Sequence, residues 1–157
     1  MGNESLVGPD AKKMIGAETP LGGPLEIEKG AVLKYLKAIG ETSPLLTDEE
    51  YARKSRHGKL QVPIAAFVDY SVPSGDEREI TWTIPVPATK RVRGKDEIES
   101  LHPIYVGDTI RAKTKVIDVY EKQGKEETLV FVVAETQYIN QHNSVVMKHR
   151  ITSIRRK

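Results

Sequence analysis

Histidine is the side chain best suited to moving protons near neutral pH, and this sequence has four: His57, His102, His142 and His149. None stands in a His-x-x-x-His pair or beside a carboxylate at metal-ligand spacing, so no metal is expected. The 157 residues include no cysteine, which removes thiolate ligands, cysteine nucleophiles and disulfides. No GxSxG elbow, P-loop or GxGxxG occurs, so the commonest hydrolase, nucleotide and dinucleotide signals are missing and no cofactor is expected.

Each candidate has a plainer explanation beside the chemical one. His57, in SRHGK, falls where a helix should end, so it serves either as a cation on the helix dipole or as an acid-base group. His149 shares strand parity with Val145, Met147 and Ile151 and reads as a satisfied core or interface histidine. His142 belongs to a hairpin loop. Asp69, followed by Tyr70, lies in the apolar stretch VPIAAFVDYSVP. A carboxylate buried there needs a partner or a raised pKa, which makes it a candidate for chemistry; on an outward helix face it is only solvated.

These residues must be positioned by helices first and strands afterwards. Leu25 and Ile27 alternate with glutamates as a short strand does, and in GAVLKYLKAIG the spacing of Val32, Tyr35, Leu36 and Ile39 predicts a helix stopped by Gly40. Thr47 with Glu50 predicts the cap of a second helix running to about His57. The segment between Pro63 and Pro73 has room for a short buried helix. After the loop SGDERE, ITWTIPVP and KDEIESLHPI read as strands broken by prolines.

The final third predicts an antiparallel meander of three long strands with turns at Gln123-Gly124 and Asn140 to Ser144. LVFVVA is apolar on both faces and should lie mid-sheet. The alternation Ile110, Ala112, Thr114, Val116 slips phase before Ile117, which predicts a bulge and added curvature. The expected class is α+β, helices on one face of a curved sheet. One domain over residues 21–157 is expected, preceded by a loose arm over residues 1–20 that has no apolar period.

Lys plus Arg number 24 against 22 acidic residues, and the net charge of +2 offers no field to attract nucleic acid. The basic clusters Lys90, Arg91, Arg93, Lys95 and Arg155, Arg156, Lys157 lack interleaved aromatics. No apolar run approaches the ~20 residues of a membrane span and no secretion-signal layout opens the chain, so a cytoplasmic protein is expected.

The segments AIGETSPLLTDEEYARKSRHGKLQVP, LHPIYVGDTIRAKTKVIDVYEKQGKEETLVFVVAETQYINQ and VVMKHRITSIRR together resemble MaoC-like and FAS1-like dehydratase domains over residues 16–157. The likeness is greatest to the non-catalytic type of subunit in 3-hydroxyacyl-thioester dehydratases. It implies the hot-dog fold, in which a sheet wraps a central helix, and two hot-dog units enclosing an acyl-thioester tunnel. The family's active half carries Gly-Asp-x-Asn-Pro-Leu-His, whose Asp and His add or remove water.

Here the corresponding stretch is Gly40-Glu41-Thr42-Ser43-Pro44-Leu45-Leu46. Glu41 stands for the aspartate, Ser43 for the asparagine and Leu46 for the histidine, and a leucine cannot carry a proton. The resemblance therefore implies a dehydratase or hydratase component that binds a 3-hydroxyacyl or enoyl thioester of coenzyme A or acyl carrier protein. A second hot-dog chain, identical or different, would complete it. Glu41, Asp69 and His57 are the candidate catalytic residues; Pro44, Tyr70 and His102 the candidate substrate contacts. The alternatives are a homodimeric thioesterase in which Glu41 or Asp69 directs water, and an acyl-binding protein without chemistry.

Overall fold

Three strands of 15, 12 and 12 residues form the meander that the last third of the sequence predicts. The computed structural model describes residues 5–69 and 77–156. Its elements are α1 (Pro9–Lys13), β1 (Gly22–Glu26), α2 (Lys29–Ile39), α3 (Pro44–Thr47), α4 (Glu49–Lys54), α5 (Ile64–Asp69), α6 (Glu77–Trp82), β2 (Lys90–Ser100), β3 (Thr109–Gln123), β4 (Thr128–Ile139) and β5 (Val145–Arg156). The strands make one antiparallel sheet in the order β1-β3-β4-β5-β2. LVFVVA thus lies mid-sheet, in β4.

The sheet's inner face follows from strand alternation. Ala112, Tyr138 and Met147 stand side by side on it, as do Thr114, Thr136 and His149. The register of β3 against β4 shifts between Val116 and Asp118, where the phase slip predicts a bulge, and the shift brings Val119 onto the same buried face as Val116. Thr114 and Thr136 share a 2.8 Å hydrogen bond, which satisfies two hydroxyls in a fully buried position.

Helices cover this face in two clusters. In the first, Val32 and Leu36 of α2 and Ala66 of α5 meet Ile110, Ala112, Tyr138, Val146 and Met147. The apolar stripe of α2 is the predicted one, and Gly40 ends the helix in the left-handed conformation at φ 72°. In the second, Val7, Ala11 and Ile84 pack on Val116, Val119, Val130 and Val132.

Four local expectations need correction. Residues 5–20 do not form a loose arm: Val7 and Ala11 are buried, Leu6 N–H donates to Glu121 Oε2 at 2.8 Å, and Glu18 bridges to Lys115 in the manner of a strand. ITWTIPVP, read as strand, instead closes α6 with Ile80 to Trp82 and continues as turn and irregular chain, from which Ile84 and Val86 join Ile80 on the second cluster. Lys90 to Lys95 belong to β2, which runs back to Lys90. Arg155 is no part of a basic tail patch; it is buried and donates to the carbonyls of Ile84 (3.0 Å) and Thr81, and burial, with Arg91 nearby, lowers its pKa to about 10.

Candidate active site

The stretch Gly40 to Leu46 descends from the end of α2 into α3. Glu41 N–H donates to the Leu36 carbonyl at 2.9 Å, and its carboxylate Oε1 accepts from the backbone N–H groups of Thr42 (2.9 Å) and Ser43 (2.8 Å). This carboxylate therefore braces the loop that starts α3. Pro44 opens α3, where its missing N–H has no helical partner to lose, and is exposed. Leu46 points the other way, half-buried against the first cluster.

Helix α4 begins one residue later than predicted. Thr47 closes α3 with its hydroxyl donating to the Ser43 carbonyl at 2.9 Å, so Asp48 caps α4 by accepting from Tyr51 N–H at 3.0 Å. Because α4 ends at Lys54, His57 stands three residues beyond it, in a turn, and not on the helix end. Its Nε2 accepts from Arg56 Nε at 3.0 Å, and its Nδ1 lies 3.2 Å from the Tyr105 hydroxyl. With Nε2 accepting, a neutral ring carries its proton on Nδ1 and donates to Tyr105.

A groove of about 420 Å³ is lined by Leu46, Arg56, His57, His102 and Ile104, with Val62 at its border. Thus Leu46, His57 and His102, separated by 56 positions in the chain, face one space. His102 is exposed and is fixed through its backbone, whose N–H donates to the Val146 carbonyl at 3.1 Å. Val62 also borders a second cavity of about 270 Å³, lined mainly by the apolar Leu25, Ile27, Ala31, Val32 and Ala66, with Glu26 and Glu28 beside them. A groove of mixed polar and apolar lining beside a mainly apolar pocket suits a ligand with a polar linkage and a hydrocarbon tail.

Glu41 is not among the lining residues of either cavity, whereas His57 lines the groove. Asp69 is the last residue of α5, and its side chain lies outside the described structure, as does Tyr70. His142 is exposed in the β4–β5 turn. His149 is 3% exposed and bonded to Asp96, as a satisfied core histidine should be.

Arg56, Tyr105 and Asp96 were missed. The first is sequence-adjacent to His57, but nothing in SRHGK tells that its guanidinium turns to the ring. Tyr105 and Asp96 are partners supplied by other elements. Asp108 is a further buried residue, accepting from Tyr105 N–H and Gln141 Nε2, both at 2.9 Å, in the turn for which Gly107 supplies φ 87°.

A model of the FAS1-like dehydratase domain region matches residues 13–149. The chain belongs to this family. It is 24% identical over 115 residues to a UPF0336 protein of Saccharopolyspora erythraea, covering 73% of this chain and 74% of the other. Among solved structures it is similar to the HadBC (3R-hydroxyacyl-ACP dehydratase) complex of Mycobacterium tuberculosis, with 17% identity, a TM-score of 0.70 and coverage of 90% of this chain and 96% of that one. The ChsH1-ChsH2 complex of the same organism gives 14% identity, a TM-score of 0.74 and coverage of 94% and 87%. At such identities the likeness shows the fold: α+β, a curved five-stranded sheet of the hot-dog type. This FAS1-like dehydratase domain therefore has the architecture that its motifs imply, and none of its described helices is long and apolar enough to cross a membrane.

Proposed function

We propose that this domain is the acyl-thioester-binding component of a 3-hydroxyacyl-thioester dehydratase or enoyl-thioester hydratase, working with a second hot-dog chain that carries the Asp and His. The observation that carries the reading is Leu46: a hydrocarbon lines the groove at the motif position where the family's histidine would be. The neighbouring Glu41 carboxylate is occupied by two backbone N–H groups. The substrate, on coenzyme A or an acyl carrier protein, would lay its thioester along the groove and its tail in the apolar pocket behind Val62.

Dehydration removes a proton from C2 and expels the C3 hydroxyl as water once it receives a proton; hydration reverses both transfers. In this reading the partner's acid-base pair makes those transfers. The present chain contributes position, holding the reacting carbons where the partner's groups reach them, which is a large part of such a barrier. HadBC and ChsH1-ChsH2 are complexes, which supports a reading in which the unit of activity contains a second chain.

His57 favours a second reading. Its ring lines the groove between Arg56 and Tyr105, and release of Nε2 from Arg56 would free a lone pair to activate water, so a self-sufficient thioesterase is the rival. One assay separates them. The purified chain alone should neither hydrate a crotonyl thioester nor release free thiol, while a saturated acyl-thioester analogue raises its melting temperature. Addition of a hot-dog chain carrying the Asp/His motif should produce hydration. Hydration by the lone chain, or thiol release abolished by His57→Ala, overturns the proposal.

A further inference from the structure

The groove that holds Leu46 is one-sided in charge. Its polar lining is Arg56, His57, Gln61, Ser100 and His102, with no carboxylate among the described residues that line it. Arg56 is the one residue of that lining whose charge is permanent. Its Nε donates to His57 Nε2 at 3.0 Å, and among the described residues no acidic group forms an ion pair with it. A guanidinium has further N–H donors on its Nη atoms, which leaves those for a ligand. Arg56 is exposed, so a molecule lying in the groove can reach it.

The turn that carries Arg56 is held from both sides. Before it, the Ser55 hydroxyl donates to the Ala52 carbonyl of α4 at 2.6 Å and accepts from His57 N–H at 3.2 Å. After it, Gly58 bends the chain at φ 68°, and the next segment runs antiparallel to residues 104–106 through a bridge between Gln61 and Tyr105. Val62 N–H donates to the Ile104 carbonyl at 2.8 Å, and Val106 N–H to the Leu60 carbonyl at 3.0 Å. The Tyr105 hydroxyl lies 3.2 Å from His57 Nδ1, so the imidazole that receives Arg56 is itself anchored. A guanidinium docked before its ligand arrives loses less rotamer freedom on binding than a loose one.

We propose that Arg56 donates to the carbonyl oxygen of the bound thioester. This rests on the acyl-thioester reading above and adds the group that meets the charge of the reaction. When the partner's base takes the C2 proton, the electron pair left on C2 shifts towards the carbonyl oxygen. As the C3–O bond breaks and the hydroxyl leaves with a proton as water, that pair forms the C2=C3 double bond and the oxygen gives its charge back. Hydration runs the same steps in reverse. A fixed cation with N–H donors beside that oxygen lowers the barrier in both directions, and a charge-assisted hydrogen bond is the strong kind. Leu46 supports the placement: it lines the same groove at the motif position of the family's proton carrier, where the reacting carbons would lie. His57 is then a positioning residue, because Arg56 takes up its Nε2 lone pair.

Calorimetric titration of the purified full chain tests this with S-octanoyl phosphopantetheine and its thioether, S-octyl phosphopantetheine. Both carry the arm common to coenzyme A and acyl carrier protein, and they differ only in a carbonyl against a methylene. The wild type should bind the thioester about tenfold more tightly. Arg56→Met, with its fold checked by circular dichroism, should bind both probes with the wild type's thioether affinity. Arg53→Met removes an exposed cation that pairs with Glu49 outside the groove and should keep the preference. With a hot-dog chain carrying the Asp/His motif, Arg56→Met should lower kcat for crotonyl-thioester hydration about 100-fold. Equal wild-type affinities for the two probes, a preference that survives Arg56→Met or is also lost in Arg53→Met, or an unchanged kcat overturns the inference and leaves the acyl-binding reading standing. Binding of neither probe, or no hydration by the wild-type pair, overturns that reading and the inference with it.

Discussion

The imidazole Nε2 of His149 lies 2.7 Å from Asp96 Oδ1, tying β5 to the edge strand β2 on the inner face of the sheet. A carboxylate only accepts, so Nε2 is the donor and the buried ring is satisfied. Asp96 also receives a two-pronged bond from Arg93. Arg93 foremost, with His149 assisting, holds the Asp96 carboxyl below its ordinary value of 3.8 against the opposing effect of burial.

This relationship makes stability depend on acid in one direction. A depressed folded-state pKa means that the contribution is fully present above the unfolded value of 3.8 and is lost as pH falls through the lower, folded value. The melting temperature of the wild type should therefore exceed that of Asp96→Asn near neutral pH, and the gap should close below that value. A gap that is constant across the acid range would show that Asp96 ionisation does not couple to folding.

Leu36, fully buried on α2, joins the helix to the first cluster. Leu36→Ala should lower the unfolding free energy by about 2–5 kcal/mol. Urea denaturation followed by circular dichroism measures this, and a loss below about 1 kcal/mol would place α2 outside the cooperative core.

Glu41→Ala leaves two backbone N–H groups at the start of α3 without their acceptor. A loss of about 0.5–2 kcal/mol in stability is expected, comparable to removing a helix cap. If the carboxylate only braces the loop, turnover in the presence of the partner chain should fall less than about tenfold. A fall of the size produced by removing a general base, about 100-fold or more, would assign it a chemical role instead.

Ala31→Phe puts an aromatic ring into the apolar pocket of about 270 Å³. A saturated acyl-thioester analogue at a hundred times its dissociation constant should stabilise the wild type by about 2.7 kcal/mol, or about 5–10 °C in Tm. The variant should lose most of this shift for long acyl chains and keep it for acetyl. Equal shifts for both chain lengths would place the tail elsewhere.

Much of this molecule was legible because period and punctuation are local. The α2 stripe, the three-strand meander, both hairpin turns and the bulge after Val116 follow from spacing within about 15 residues. The absence of a proton carrier at Leu46 was also readable, since it depends on the identity of one residue within a short motif. Local reasoning failed where a partner decides the outcome. Residues 5–20 have no period of their own and are ordered by contacts with β3, while Ile80 and Ile84 satisfy a helical and a strand reading until the sheet beneath them is known.

The sequence by itself determined the fold class and the chemical character of the motif, because these rest on side-chain type and short-range pattern. Only the tertiary structure decided that Leu46, His57 and His102 share a groove, that Tyr105 and Arg56 orient His57, and that Asp96 answers His149 across strands 53 positions apart. Such pairings depend on strand order and register, which are set by how the whole sheet buries one face. No short window of the chain contains that information.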